Sequence, residues 1–357
     1  MKIGIITRHL GLPVGFGTYA GKLLEGLAAV DKQNDYVVYT ATPPPKRRWP
    51  ARFRFKRFAV EQRRSKLTWW EHTTAPLAAK GDGVDLVHYL HTATPLPPVR
   101  RPVLTGVLDA IEWAEPGYRR SRHYDLLARR DIRLANHILT ISEHAKRDLN
   151  RLLKVPLDKI SVTHLAGPKV ESSAGRKKAY WLFVGGVEKR KDLRSTIEAF
   201  AELDDPRMRL KVVGPTNPSP IHDDRAELVA LLALDQRARV DWLGRVSDSE
   251  LARLYREATA LVFPSVYEGF GLPVLEAFAR RTPVIAANAS SIPEIAGDAA
   301  ILVPPRDPAA LADAMRQVRT DAALRRRMAS RGAEQAAVFS WKQTARDTVA
   351  VYERMLS

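Results

Sequence analysis

The stretch Thr259–Ala277, TALVFPSVYEGFGLPVLEA, contains a strand, a loop and the start of a helix, and this order decides the fold. Its first part, TALVFPS, has the length and composition of a buried strand. Tyr267 to Leu272 forms a loop, and Pro273 suits the first helical turn, where its missing N–H group costs no hydrogen bond. A strand followed directly by a helix is the repeating unit of a parallel, helix-covered sheet.

The same alternation of apolar runs and helical patterns extends in both directions from this stretch. KIGIIT, DYVVYTA and HILTIS indicate strands in the first half, and AYWLFVGG, RLKVVGP and TPVIAAN indicate strands in the second. The polar stretch GPKVESSAGRKK between them is typical of a linker. We therefore predict an α/β protein with two Rossmann-like, doubly wound domains that face a cleft, over residues 1–167 and 168–340. A last helix, over 341–357, is expected to cross back to the first domain.

The charge balance favours an anionic partner. The 57 Lys and Arg residues exceed the 40 Asp and Glu residues and give a net charge of +17, which suits nucleic acid, a phosphorylated substrate or an acidic lipid surface. The absence of cysteine excludes disulfides and thiolate metal sites. The first residues, MKIGIITRHL, lack the apolar run of a signal peptide, and no apolar segment has the ~18–20 residues of a membrane span. We expect a cytoplasmic protein, either free or at the inner face of the cytoplasmic membrane.

Two glutamates, Glu268 and Glu276, bracket the loop and the first helical turn. The backbone N–H groups of Phe270, Gly271 and Leu272 would point out of the helix N-terminus, where anions bind. The glycines of the loop allow a ligand to approach the backbone closely. Carboxylates for hydroxyl groups and amides for phosphate together fit a sugar nucleotide. The helix dipole alone also favours a glutamate in a first turn, so the spacing by itself leaves a structural role open.

The segment PSVYEGFGLPVLEA resembles the signature of glycosyltransferase family 4, in which a proline-serine pair precedes two glutamates separated by seven residues. The resemblance continues through RRTPVIAANASSIPEIAGDAAILVPP and ends in FSWKQTA. It covers the second half of the chain almost continuously and the first half more thinly. It implies a GT-B fold with an N-terminal acceptor-binding domain and a C-terminal domain that binds a nucleoside diphosphate sugar. It also implies transfer of the sugar with retention, without a metal or another cofactor.

The resemblance assigns roles to residues of the second half. Arg190 and Lys191 match the family's basic pair, which binds the diphosphate and stabilises its charge as it leaves. Glu276 is expected to bind the ribose hydroxyls, and Glu268 to lie near the transferred sugar. The other expected donor-binding positions are Gly186, Arg245, Val246, Gly269, Phe270, Gly271 and Leu272.

The first half carries a weaker version of the pattern. Gly15 and Gly17, in GLPVGFGTYAGKLL, match the family's glycine-rich loop beside the donor phosphate. Asp109 is expected to orient the acceptor hydroxyl. Relatives often have histidine before this aspartate, but here Leu108 takes its place, so His91 is the candidate substitute; an ordinary loop histidine is an equally good interpretation. Because the resemblance supplies no placed nucleophile, we favour front-face transfer, in which the leaving phosphate takes the acceptor proton.

A basic, aromatic stretch, PPPKRRWPARFRFKRFAVEQRRSKLTWWEH, holds much of the excess charge. Interleaved cations and aromatic rings suit an anionic membrane surface or a lipid-diphosphate acceptor, and Arg52, Arg54 and Arg57 are the candidate residues. The pattern also suits single-stranded nucleic acid, but nothing else in the chain supports that partner. A solvated strand and loop is the structural alternative.

These observations predict a retaining hexosyltransferase. The donor is expected to be a nucleoside diphosphate sugar, with mannose, glucose or a deoxyhexose as the sugar, and the acceptor a glycan or a lipid-linked glycan in surface polysaccharide synthesis. The alternative is a sugar-nucleotide-binding relative without catalytic activity, suggested by the leucine at position 108. An epimerase or a pyridoxal-dependent phosphorylase of the same fold is disfavoured by the combination of FGLPVLEA and SIPEIAGDAA.

Overall fold

The chain divides into two compact α/β units, Met1–Leu165 with Ser340–Ser357, and Ala166–Phe339. The structure, a computed structural model, describes residues 1–12, 15–96, 99–118, 121–203, 205–216 and 222–357.

The first unit is built on a parallel sheet. Its strands are β1 (Lys2–Thr7), β2 (Asp35–Thr40), β3 (Phe53–Arg57), β4 (Leu86–Tyr89), β5 (Val103–Gly106), β6 (His137–Thr140) and β7 (Ile160–Val162). Its helices are α1 (Gly15–Val30), α2 (Arg64–Trp69), α3 (Ala75–Gly81), α4 (Ile111–Ala114), α5 (Arg122–Leu134) and α6 (Glu143–Leu153), with a π-helical turn at Trp70–Thr74 and 3-10 turns at Pro116–Tyr118 and Leu157–Lys159. Over the described residues the strand order is β3-β2-β1-β4-β5-β6-β7.

The second unit repeats this plan with a second parallel sheet. Its strands are β8 (Tyr180–Val184), β9 (Arg209–Val213), β10 (Val240–Gly244), β11 (Ala260–Phe263), β12 (Val284–Ala287) and β13 (Ile301–Val303). Its helices are α7 (Leu193–Leu203), α8 (Arg225–Ala230), α9 (Leu234–Arg237), α10 (Asp248–Glu257), α11 (Leu272–Ala279), α12 (Ile292–Ala296), α13 (Pro308–Thr320) and α14 (Ala322–Val338), with a 3-10 turn at Lys189–Lys191. The strand order in the part of the unit that the structure describes is β10-β9-β8-β11-β12-β13.

The central strands are mostly apolar, as expected where helices cover both faces of a parallel sheet. Every residue of β4, β5, β11 and β12 is buried. A strand of a parallel sheet therefore appears in the sequence as a continuous apolar run and not as an alternation. β3 differs because it lies at the edge of its sheet: Phe53 is buried, while Arg54, Lys56 and Arg57 are exposed. Exposed cations on an edge strand discourage pairing with another chain.

The last helix, α15 (Trp341–Leu356), belongs to the first unit, where it packs on α1. Gly26 makes this contact possible, because a Cβ atom at this position would overlap the backbone carbonyl of Trp341. At the other end of α15, the Tyr352 hydroxyl lies 2.7 Å from Nδ1 of the buried His88 in β4.

In each unit the strand order reverses once, and that point is where ligands of such sheets bind. The reversal lies between β1 and β4 in the first unit and between β8 and β11 in the second. Both pairs are parallel, so the loops that leave their carboxyl ends emerge at the same edge of the sheet.

Among the helices that the structure describes, none is long and apolar enough to cross a membrane.

Candidate functional site

The candidate site lies in the second unit, where β8 and β11 are neighbours. The loops that follow these strands carry the predicted basic pair and the first predicted glutamate. The Val266 N–H group donates to the Arg190 carbonyl at 2.8 Å, and the Ser265 hydroxyl oxygen lies 3.1 Å from the same carbonyl oxygen. These bonds fix one loop on the other.

One oxygen of the Glu268 carboxylate accepts two hydrogen bonds and forms an ion pair with Arg190. Oε1 accepts hydrogen bonds from Lys191 Nζ and Ser265 Oγ, each at 2.6 Å, and lies 3.1 Å from Arg190 Nη1. The other oxygen, Oε2, accepts no hydrogen bond from the described part of the chain. The structure thus brings together three of the predicted catalytic residues.

Burial and charge act in opposite directions on this cluster. Glu268 and Lys191 are 8% and 7% exposed. Burial would raise the pKa of Glu268, but the charges of Lys191 and Arg190 outweigh it and lower the pKa overall. Burial lowers the pKa of Lys191, and the attraction of Glu268 opposes that shift. Glu268 is therefore ionised at neutral pH and balances the cations beside it.

Arg190 is held at several points around its guanidinium. Nη2 lies 2.8 Å from the carboxylate of Glu188, and Nη1 donates to the Tyr267 carbonyl at 3.0 Å. A planar guanidinium bound in this way has a fixed orientation.

Two glycines shape the loop after β8. The side chain of Lys191 lies across Gly185, where a Cβ atom would come within 2.9 Å of it, and Gly185 has a φ of 149° that favours glycine. Gly186 has a φ of 67°, and a Cβ there would overlap the Pro215 carbonyl. Close packing therefore explains the glycine at 186, a predicted donor-binding position, without a ligand.

Two serines that follow β12 form hydrogen bonds with the backbone of the loop after β11. The Ser290 hydroxyl accepts from the Glu268 N–H group at 3.0 Å and donates to the Glu268 carbonyl at 2.6 Å. The Ser291 hydroxyl lies 3.0 Å from that carbonyl and 2.8 Å from the carbonyl of Phe270. Gly271 ends the loop with a φ of 106°, and a Cβ there would meet open space.

The predicted backbone donors Gly269, Phe270, Gly271 and Leu272 therefore lie together at the start of α11. The N–H groups of Gly271 and Leu272 donate no hydrogen bond within the described residues. Free N–H groups at a helix N-terminus are a binding site for an anion. Over the same described residues, no three His, Cys, Asp or Glu side chains gather in a way that could hold a metal ion.

Glu276 was expected in the first turn of its helix, but it does not lie there. Because α11 begins at Leu272, Glu276 falls in the second turn. Burial raises the pKa of Glu276, while the Tyr255 hydroxyl and the Arg280 charge oppose that shift. Within the described chain, no hydrogen bond joins Glu276 to the cluster around Glu268.

Arg245 and Val246 follow β10, which β9 separates from β8. They emerge at the same sheet edge as the other site loops, because all these strands are parallel. Arg245 is exposed and forms no ion pair within the described residues.

The two predicted glycines of the first unit differ in their surroundings. Both lie in the first turn of α1, and a Cβ at Gly15 would meet open space. A Cβ at Gly17 would overlap the Leu12 carbonyl and come within 2.7 Å of the His9 carbonyl oxygen. Packing of the preceding loop therefore accounts for Gly17, whereas the described residues place no such constraint on Gly15.

His91 and Asp109 both follow strands of the first unit, and both have protein partners. Nε2 of His91 lies 2.7 Å from the carboxylate of Glu71, which is 1% exposed and also lies 3.0 Å from Arg8. Oδ1 of Asp109 accepts from the Ile111 N–H group at 3.1 Å, at the start of α4.

The predicted basic acceptor residues lie apart from the loops that follow β4 and β5. β2 and β1 separate β3 from β4, which places the two strands about 14 Å apart. Arg52 donates to the Ala28 carbonyl in the last part of α1 at 2.5 Å, so its guanidinium already has a structural partner. Arg54 and Arg57 are exposed on the edge strand.

Two family models match the chain, one over each half. The model for Glycosyltransferase Family 4 matches residues 14–166, and the model for Glycosyl transferases group 1 matches residues 169–335. The chain belongs to the group 1 glycosyltransferases of family 4.

Curated relatives of this chain include other glycosyltransferases. The chain is 31% identical to O-antigen chain mannosyltransferase B of Escherichia coli, over 66% of this chain and 65% of that protein. It is 30% identical to a D-inositol 3-phosphate glycosyltransferase of Nocardioides, over 80% of this chain and 66% of that protein. The chain thus spans just under two thirds of the length of these two relatives.

Solved structures show the GT-B fold of this glycosyltransferase. The sucrose-phosphate synthase of Thermosynechococcus elongatus matches with a TM-score of 0.76 and 22% identity, over 99% of this chain and 98% of that one. WaaG, a glycosyltransferase involved in lipopolysaccharide biosynthesis, matches with a TM-score of 0.69 and 16% identity, over 98% of this chain and 99% of that one. Two Rossmann-like units with parallel sheets are the architecture that the sequence analysis predicted.

Three serines of the candidate site were not predicted from the sequence. Ser265 was used only as a landmark of the signature, yet its hydroxyl binds the Glu268 carboxylate. Ser290 and Ser291 follow the strand TPVIAAN, at the sheet edge where ligands bind. Two adjacent hydroxyl residues at that position were the available signal.

Proposed function

We propose that this glycosyltransferase moves a hexosyl group, with retention, from a nucleoside diphosphate sugar to a glycan or glycolipid acceptor during surface polysaccharide assembly. The proposal depends on one observation: Arg190, Lys191 and Glu268 form a buried cluster between β8 and β11, at the ligand-binding edge of the sheet. Among hexoses we favour mannose, because the E. coli relative is named a mannosyltransferase.

Arg190 and Lys191 would supply the positive charge that the departing diphosphate needs. As the bond between sugar and phosphate breaks, negative charge builds up on the phosphate oxygens. Fixed cations in a buried site stabilise that charge without having to reorganise. We propose that these two side chains do so without a metal or another cofactor, and that Glu268 keeps both of them in position.

The remaining groups would bind the other parts of the donor. The N–H groups of Gly271 and Leu272 would hold phosphate oxygens. Oε2 of Glu268, which accepts no bond from the described chain, would accept from a hydroxyl of the transferred sugar. Glu276 would bind the ribose hydroxyls and Arg245 would lie along the base.

The surroundings of Glu268 favour front-face transfer over a covalent intermediate. The two hydrogen bonds to Oε1 and the neighbouring Arg190 charge lower the nucleophilicity of the carboxylate, because they stabilise its negative charge. In the proposed step the bond between sugar and phosphate breaks, and the leaving phosphate oxygen takes the acceptor proton. The acceptor oxygen then forms its bond on the same face of the sugar, with Asp109 orienting the acceptor hydroxyl.

A thermal-shift panel of UDP, GDP, ADP and their hexose conjugates tests the donor. The correct nucleotide should raise stability by about 2.7 kcal/mol at a hundredfold excess over its dissociation constant. The anomeric configuration of the transferred or hydrolysed sugar, followed by NMR, tests retention. Binding of a nucleotide without turnover of any of its sugars would indicate a non-catalytic relative, and no stabilisation by any nucleotide would refute the donor site itself.

A further inference from the structure

A separate pocket lies in the first unit, between the C-terminal ends of α5 and α6. Its volume is about 490 Å³, within the range of small-molecule sites. The residues that line it are Leu126, Arg129, Arg130, Ile132, Arg133, Leu153, Lys154, Val155, Pro156 and Lys159. Among the described residues that line the pocket, five are cationic, five are apolar and none is acidic.

Two of the five cations have carboxylate partners. Arg129 lies 3.0 Å from Asp125, one turn earlier on α5, and Arg130 lies 2.8 Å from Asp131. Their charges are therefore balanced inside the protein.

The other three cations have no carboxylate partner among the described residues. Lys159 donates to the carbonyls of Ile132 and Arg133, at 3.2 and 2.8 Å, in the last turn of α5. Arg133 and Lys154 are exposed, and their side chains form no ion pair or hydrogen bond with the described chain.

The ends of α5 and α6 do not account for all of this charge. A helix C-terminus carries roughly half a negative charge, so the two ends together offset about one of the three cations. Lys159 already fills that role through its two carbonyl contacts. The pocket therefore has an excess of about two positive charges, which Arg133 and Lys154 carry.

We propose that this pocket binds a lipid phosphate, that is, a phosphate monoester on an apolar chain. A phosphate monoester carries about −1.5 to −2 charges at neutral pH, which matches the excess. The apolar wall would contact the first carbon atoms of the chain, and Leu126, 59% exposed, would gain most from being covered. The pocket and the donor cluster lie in different units, so this inference does not depend on the proposed function.

Calorimetry on the full chain with three soluble probes tests whether both the phosphate charge and the apolar chain of the ligand contribute to binding. Octyl phosphate, below its micelle concentration, carries both features; inorganic phosphate carries only the charge, and octyl glucoside only the chain. We expect octyl phosphate to bind at one site and each of the others at least about tenfold more weakly, because each lacks one contribution. Equal affinity for either single-feature probe would overturn the proposal.

A matched pair of double variants tests the location. Arg133→Gln with Lys154→Gln should weaken octyl phosphate binding about thirtyfold, because two charge-assisted contacts are lost. Arg122→Gln with Arg147→Gln removes the same charge from α5 and α6 outside the pocket and should change affinity by less than about twofold. Equal losses in the two double variants would place the ligand elsewhere.

A single variant keeps the test decisive if the double variant folds poorly. Leu126→Gln changes an exposed side chain, so the fold should be retained. It should weaken octyl phosphate about fivefold and leave the affinity for inorganic phosphate unchanged. An unchanged affinity for octyl phosphate would contradict the apolar half of the proposal. The thermal midpoint and nucleotide binding, measured alongside, report on the fold.

Discussion

The two oxygens of Glu268 have different surroundings, and this difference gives one residue two roles. Oε1 binds Lys191, Ser265 and Arg190, while Oε2 accepts nothing from the described chain. The sequence analysis placed Glu268 beside the transferred sugar and did not anticipate that it orders the basic pair. The Glu268 carboxylate therefore has a structural role, because it balances the buried Lys191 and the partly buried Arg190.

Glu268→Gln should destabilise the protein by roughly 2–4 kcal/mol, because it leaves the buried Lys191 without its counter-charge and leaves Arg190 with Glu188 alone. Part of that loss should return when a nucleoside diphosphate supplies negative charge to the same cations. Glu257→Gln is the matched control: its partners Lys178 and Arg253 are at the surface, so it should cost less than about 1 kcal/mol. Urea unfolding with and without nucleotide measures both effects.

The outcome that contradicts this view of Glu268 is a nucleotide effect of the same size in Glu268→Gln and in the unaltered protein. In that case the diphosphate does not meet the cations that Glu268 holds.

Lys191→Met should weaken nucleoside diphosphate binding about ten- to a hundredfold, because a charge-assisted contact to phosphate is lost. Its apolar stem can still lie across Gly185, so the fold should be retained. Lys189→Met, two residues earlier and exposed, should change affinity by less than about twofold. Calorimetric titration of both variants checks this, and equal losses would mean that only the general charge of the loop matters.

At the scale of elements, α1 shows how two glycines of one helix can have opposite effects. A Cβ at Gly21 would meet nothing within 4 Å, whereas one at Gly26 would overlap the Trp341 carbonyl of α15. Gly26 is therefore required for the packing of α15, and Gly21 is only a weak helix former.

Gly26→Ala should lower the free energy of unfolding by about 1–3 kcal/mol, because the added methyl group separates α1 from α15. Gly21→Ala should raise it by about 0.5–1 kcal/mol, because alanine favours the helix and nothing lies in its way. Limited proteolysis should release α15 earlier in Gly26→Ala than in Gly21→Ala. Identical digestion of the two variants would argue against the contact.

Some elements were not evident from the sequence, for reasons that the structure explains. α14 was not predicted, because its apolar positions are few and mostly alanine, as in AALRRRMASRGAEQAAV. β3 was considered only as the structural alternative for the basic, aromatic stretch; its Phe53 is buried against Tyr36, with ring centroids 4.5 Å apart, and its cations face outward. Both elements depend on tertiary packing more than on a local pattern.

At the scale of the whole molecule, acid should destabilise the protein through its buried histidines. Burial lowers the pKa of His88 to about 3, and burial together with the His91 and Arg8 charges lowers that of His9 to about 3. An unfolded histidine titrates near 6.5, so the unfolded state binds more protons below that pH. The contribution of these two histidines to stability is therefore fully present above about pH 6.5 and is lost as the pH falls towards 3.

Urea unfolding between pH 7 and pH 4 measures this loss. His88→Gln keeps an acceptor for the Tyr352 hydroxyl and should make the pH dependence shallower, because one proton uptake is removed. His123→Gln, on the exposed face of α5, should leave the slope unchanged. His72 has the opposite pH dependence. Burial would lower its pKa, but Asp131 outweighs burial and raises it. The contribution of His72 to stability is therefore lost as the pH rises. Identical slopes for the two variants would exclude His88 as a source.

The fold could be predicted from the sequence because each strand-and-helix unit is a local pattern, visible in stretches such as TALVFPSVYEGFGLPVLEA. The candidate residues could be named from the signature, but the contact between Lys191 and Glu268 could not, because it joins positions 77 residues apart. It exists because β8 and β11 are neighbours, and strand order is a property of the assembled sheet. The partners of His91 and Arg52 are hidden for the same reason.

The docking of α15 on the first unit sets an order for synthesis. Residues 166–339 can complete their own sheet as soon as they have left the ribosome, whereas the surface of α1 around Gly26 has no cover until residues 340–357 have been translated. Nascent domains usually mature from the N-terminus onward. In this chain the earlier half is completed last, so its α1 surface stays uncovered for most of translation.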